Sequence, residues 1–158
     1  MLLHIPQVLD LDELAFCRKT VEAAAWADGA ITAGTQSRQV KNNRQLPEDL
    51  PASIEARNVV LAALKRNALF FSAALPKKIY PPLYNRYDGA ANSFGNHIDN
   101  AIRGKAHPEW VRTDLSMTLF LTEPHEYEGG ELVMEDSFGT QRIKLAAGDM
   151  ILYPSSSV

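Results

Sequence analysis

The sequence predicts an α+β chain, with helices in its first half and a β-sandwich or jelly roll in its second. Apolar residues recur at helical spacing through much of 10–75, the first sign of this class. From residue 77 onward the pattern changes to short runs rich in β-branched and aromatic residues, each bounded by turn residues. The 158 residues, 46% hydrophobic and 22% charged, suffice for one ordinary domain with a core and are too few for two comfortable ones. The chain is therefore read as one domain over 1–158, with 1–76 a helical support layer and 77–158 the strands.

Asp10, followed by Glu13, resembles a capping box and opens the first helix, which carries Leu14, Cys17, Val21 and Ala25 at helical spacing up to Trp26. The polar stretch 28–46, broken by Gly29 and Gly34, suits a long loop or an irregular edge strand. A second helix starts near Pro51, whose fixed φ suits a first turn. It places Ile54, Asn58, Leu61, Leu64 and Ala68 on one face and finishes before Pro76. Strands are expected within 77–87, 93–99, 113–123, 130–136, 140–145 and 150–154, punctuated by Asp88-Gly89, Gly129-Gly130, Phe138-Gly139 and Gly148-Asp149. Gly129-Gly130 reads as backbone geometry, since glycine tolerates positive φ where a strand starts tightly.

Composition narrows the function. A net charge of -3, with 16 Lys and Arg dispersed along the chain, leaves no basic footprint for nucleic acid. No run of 18 apolar residues exists for a membrane span, and "MLLHIPQVLD" lacks the cationic and apolar regions of a secretory signal, so a cytoplasmic location is expected. Cys17 is the one cysteine, which excludes an internal disulfide and a thiolate cluster. Any bound metal must use oxygen and nitrogen ligands.

The chemistry lies in "FGNHIDNAI" (94–102). His97 and Asp99 stand two apart on an expected strand, so their side chains point to the same side. One imidazole and one carboxylate occupy two corners of one face of an octahedral ion. A distant His in the third corner completes the 2-His-1-carboxylate set that suits Fe(II) and leaves three positions open. Tyr87 lies ten residues upstream of His97, Gly129-Gly130-Glu131-Leu132 follows, and "AAGDMILYPSSS" (146–157) introduces the strand where a second His is expected. His107 and His125 sit beside prolines and read as exposed loop residues, and His4 as a partly buried strand residue. Arg103 reads equally as a contact for an anionic substrate or as a solvated surface residue. Glu135, Asp136 and Asp149 read as turn and strand-end positions without chemistry. Two other functions fit the residues: a non-catalytic jelly-roll module that binds a ligand or partner, and a Zn hydrolase using His97, Asp99 and His125. The hydrolase lacks a general base at a recognisable spacing.

The blocks "KKIYPPLYNRYDG", "FGNHIDNAIR", "VRTDLSMTLFLTEP", "YEGGELVMED" and "IKLAAGDMILYPSSSV", together with "SAALP" (72–76) and the N-terminal helices, run in order over nearly the whole chain. In them the chain resembles the PKHD-type hydroxylases, Fe(II)- and 2-oxoglutarate-dependent dioxygenases related to prolyl hydroxylases, and within them the bacterial type associated with iron uptake. The resemblance implies a double-stranded β-helix, with His97 and Asp99 as the first two iron ligands and Tyr87 in the pocket near 2-oxoglutarate. It implies hydroxylation of a C–H bond, with ascorbate rescuing oxidised iron, on a small-molecule or peptidyl substrate that the sequence does not identify. In the family the third ligand is a His directly after the "YPSSS" strand, with an Arg for 2-oxoglutarate about ten residues later. Val158 is the last residue here, so the resemblance implies two of three ligands within 1–158 and little or no turnover from these residues alone. It also implies that the last jelly-roll strands are absent, leaving an edge near "MILYP" open to a second copy of the chain.

Overall fold

In a computed structural model, residues 1–32, 39–137 and 139–158 are described. The expected breaks at Gly34 and Phe138 lie outside them. Helix α1 (Leu11–Glu22) starts where expected, because Asp10 Oδ1 accepts the Glu13 N–H at 2.8 Å and satisfies one of the orphan donors of the first turn. The Glu13 side chain pairs with Arg66. The helix ends at Glu22, short of the expected Trp26, where the indole turns back and donates from Nε1 to the Val21 carbonyl at 3.1 Å. That carbonyl also accepts the Ala24 N–H at 3.3 Å, a bond that tightens the last turn.

Pro51 opens α2 (Pro51–Arg66) as predicted, but the buried face is Ser53, Ala56, Val60, Ala63 and Leu64. Ile54 is 38% exposed, and Asn58 and Ala68 are exposed as well. The small side chains decide the orientation, since Ala56 lets α1 approach until Cys17 Sγ meets its carbonyl at 3.8 Å. The helix does not run on to Pro76. Asn67 is extended and its side chain accepts the Phe70 N–H at 2.9 Å, starting a separate helix α3 (Ala68–Ala74).

Among the described residues there are twelve short strands: β1 (Leu3–Ile5), β2 (Ala27–Asp28), β3 (Lys41–Asn42), β4 (Arg44–Gln45), β5 (Asn85–Arg86), β6 (Ser93–Phe94), β7 (Ile102–Arg103), β8 (Val111–Arg112), β9 (Leu115–Leu119), β10 (Leu132–Asp136), β11 (Gly139–Ile143) and β12 (Met150–Pro154). They pair antiparallel in small sheets ordered β1-β12-β9, β2-β4-β5, β3-β6, β7-β8 and β10-β11. The last three strands match their predicted ranges closely, and Gly129 and Gly130 precede β10 with φ of +62° and +67°. The expected run 77–87 shrinks to β5, because Pro81 and Pro82 have no N–H to give a ladder. The "MILYP" segment is not an edge. β12 is the central strand of its sheet, with Leu152 opposite Leu3 on one side and Met117 on the other.

The core draws on both halves of the chain, with Ile5, Cys17, Leu46, Leu64, Met150 and Leu152 each no more than 2% exposed in one hydrophobic cluster. Leu115, Met117 and Leu119 of β9 pack against it. The intervening Ser116 and Thr118 therefore face the other side of the sheet, and Tyr153, opposite Ser116 in the register, faces that side with them. No helix among the described residues is long and apolar enough to cross a membrane.

Candidate active site

Strand β6 stops at Phe94, so His97 and Asp99 lie in the segment after it and not on a strand as the spacing suggested. The Gly95 N–H still bonds the Val40 carbonyl at 2.9 Å, after which the ladder to β3 ends. The two-residue alternation nevertheless persists. Asn96, Ile98 and Asn100 are exposed while His97 and Asp99 are partly buried, so the pair shares one side.

Nδ1 of His97 lies 2.8 Å from the Gly95 carbonyl. A carbonyl only accepts, so Nδ1 carries the proton and Nε2 of the neutral ring presents its lone pair. Nε2 stands 3.5 Å from Asp99 Oδ1. Neighbouring ligands of one octahedral ion, each about 2.1 Å from it, bridge that separation with small adjustment. The donor set also suits Fe(II), so the residues fit such an ion. The Phe94 ring stacks on the imidazole with centres 3.6 Å apart and planes 11° apart.

When the ring takes up a second proton at Nε2, the hydrogen bond this gives to Asp99 raises the His97 pKa, helped by the Gly95 carbonyl and opposed by burial and by Lys41. Burial pushes the Asp99 carboxyl up, but hydrogen bonds from His97 and Ser116 and the charges of His97 and Arg103 outweigh it and leave the carboxyl low. The Ser116 hydroxyl is shared in turn with Ser155, Oγ to Oγ 2.8 Å. Thr118 Oγ1 and the Tyr153 hydroxyl approach to 3.4 Å on the same side of the sheet. Burial, then the charge of Asp99 and the neighbouring Tyr87, push the Tyr153 hydroxyl up to about 12.

Tyr87 follows directly after the short β5 and is 46% exposed, so it does not stand on the long strand expected for it. Burial of its hydroxyl raises its pKa against a hydrogen bond from Asn43. Tyr87 and Asp99 each act separately on the Tyr153 hydroxyl, both raising its pKa. Arg103, on β7, is partly buried with its guanidinium 5.5 Å from the Tyr80 ring centre. Lys41 on β3 lies over Phe94, 5.3 Å from the ring centre, and donates to Gln45 Oε1 at 3.1 Å.

The other histidines stand elsewhere. His4 bonds Asp149 Oδ2 at 2.7 Å across β1 and the start of β12, and Asp149 also accepts the Gln7 N–H, so both are structural. His107 and His125 are exposed, as read from their prolines. Among the described residues no three His, Cys, Asp or Glu side chains are grouped to hold a metal, and the hydrolase set with His125 does not assemble. Sequence reasoning missed Phe94, Lys41, Ser116, Thr118 and Tyr153. Only the alternation of Ser116 and Thr118 within an otherwise apolar strand signalled a polar face.

Chain direction adds one more neighbour. The Glu135 N–H donates to the Val158 carbonyl at 2.6 Å, and Asn96 Nδ2 reaches Glu135 Oε2 at 3.5 Å. Residue 158 and the residue before His97 thus both bond Glu135 of β10, the first at its backbone N–H and the second at its side chain.

Comparison with known proteins agrees with this chemistry. Residues 82–158 match the 2OG-Fe(II) oxygenase superfamily, which implies Fe(II) and 2-oxoglutarate. The whole chain is 57% identical over 162 residues to a PKHD-type hydroxylase of Variovorax paradoxus and 58% identical over 159 residues to one of Saccharophagus degradans, covering 70% of each. It is also 54% identical over 159 residues to a PKHD-type hydroxylase of Nitrosomonas europaea, again covering 70% of that protein. Identity at this level along the entire chain, joined to the superfamily match over its second half, means that the chain belongs to the PKHD-type hydroxylases, oxidoreductases of the 2OG-Fe(II) oxygenase superfamily.

Proposed function

We propose that His97 and Asp99 are two of the three protein ligands of an Fe(II) ion in a hydroxylase acting on a small-molecule or peptidyl substrate. The observation that carries this reading is the convergence of His97 Nε2 and Asp99 Oδ1 to 3.5 Å while Nδ1 is committed to the Gly95 carbonyl. Fe(II) with 2-oxoglutarate and dioxygen supplies, when bound, oxidation of a C–H bond to C–OH coupled to conversion of the co-substrate to succinate and carbon dioxide. The chain's own part is orientation. Gly95 holds the imidazole tautomer, Ser116 restrains the Asp99 carboxylate, and Tyr87 lines the pocket for 2-oxoglutarate.

The third ligand in this reading is a His following "YPSSS". The meeting of Val158 and Asn96 on Glu135 supports it, because chain continuing from Val158 starts beside the His97 segment. Residues 1–158 act as one domain, the small sheets being parts of a jelly roll that further strands complete. Turnover needs those strands, ascorbate sustains it, and the cellular role is in iron uptake, so loss of the gene should impair growth most when iron is scarce.

The test is 2-oxoglutarate-dependent succinate release by residues 1–158 joined to the segment that follows them in the relatives. His97→Ala should reduce it beyond the roughly 10–100-fold that loss of an outer partner costs. An unchanged rate in that variant overturns the assignment, and failure of both proteins to bind Mn(II) favours a non-catalytic binding module.

A further inference from the structure

We propose that Phe94 is a positioning residue for His97: its stacked ring sets the plane in which the imidazole presents Nε2 beside Asp99, so the aromatic face at position 94 governs metal affinity. The proposal rests on the reading of His97 and Asp99 as ligands. A single hydrogen bond from Nδ1 to the Gly95 carbonyl selects the tautomer but leaves the ring able to swing about the N–O line. A face-to-face contact at 3.6 Å and 11° removes that freedom, and the two restraints act along different directions.

Phe94 is itself held. It pairs with Lys41 in the β3-β6 ladder, and the Lys41 ammonium lies over its ring at 5.3 Å, a cation–π contact. The next residue has little room to move, since a Cβ on Gly95 would meet Val40 Cβ at 3.0 Å. Core packing does not account for this placement, because Phe94 is only partly buried and stands outside the hydrophobic cluster. What it contacts is the imidazole.

The experiment compares Phe94→Leu, Phe94→Met and Phe94→Tyr in residues 1–158 joined to the segment that follows them in the relatives, with His97→Ala as control. Mn(II) affinity and the His97 ring proton and nitrogen shifts of the metal-free chain are the readouts. Leu and Met keep an apolar side chain without a ring face. Either should weaken Mn(II) binding about 10-fold or more and move the His97 ring protons downfield as the ring current is lost, with amide shifts distant from 93–99 unchanged. Tyr should restore both readouts. Unaltered His97 shifts in Phe94→Leu and Phe94→Met overturn the stack whatever the metal does. Parent-like Mn(II) affinity in those variants, with binding lost in His97→Ala, overturns its role in affinity. Parent-like affinity in His97→Ala shows instead that the ligand reading has failed, and the proposal falls with it.

Discussion

Lys41 illustrates chemistry that position creates and residue type conceals. Burial disfavours its charged form and the like charge of Arg103 adds to this against Asp28, so its pKa falls from 10.5 to about 8. Isotope-labelled dimethyl-lysine signals should include one titrating near pH 8, moving upward in Arg103→Gln; a single transition near 10.5 for all lysines contradicts this. The unfolded chain binds this proton more tightly, so the stability contribution of Lys41 improves as pH rises from about 8 to 10.5 and its penalty is complete below 8. Nothing in the polar stretch 28–46 marked Lys41, whereas the two-residue spacing of His97 and Asp99 was legible at once. Their common side survives without a strand because extended chain alternates its side chains with or without a ladder partner.

At the scale of elements, starts were more legible than faces. Asp10 and Pro51 open α1 and α2 as read, since a cap and a first-turn proline act within three or four residues. The face of α2 was misread because Ile54 and Leu61 outweigh Ser53, Ala56 and Ala63 in hydrophobicity, while close approach to α1 favours the small side chains. The two faces should separate in urea unfolding. Val60→Ala, on the observed face alone and 2% exposed, should destabilise by about 2 kcal/mol, and Ile54→Ala by no more than about 0.5 kcal/mol. Equal losses would restore the original face.

Across the whole molecule, Arg18 of α1 grips Glu126, in the turn after β9, through Nη1–Oε2 at 3.0 Å and Nη2–Oε1 at 2.8 Å. The Arg18 hydrogen bonds, with the backbone bond at Glu123, hold the Glu126 carboxyl down to about 2 from an ordinary 4.5. A lowered carboxyl stabilises the fold above its ordinary value and loses that contribution as pH falls from 4.5 towards 2. Arg18→Ala should return the Glu126 titration towards the ordinary range and flatten the acid limb of Tm in that window. An unchanged carbon titration curve for Glu126 would remove this link between helix and sheet.

By itself the sequence determined what short-range chemistry determines: helix starts, the glycine turn before β10, the ranges of β10 to β12, the His97–Asp99 pair and the motifs that mark the hydroxylase family. Tertiary structure alone decided that β12 is central, that α2 turns its small residues inward and that Phe94 covers the His97 ring. The reason is distance along the chain. Caps, turns and alternation act among neighbours, whereas the burial of a face or the desolvation of a charge depends on partners as remote as Leu3 and Leu152, which only the closed fold brings opposite each other.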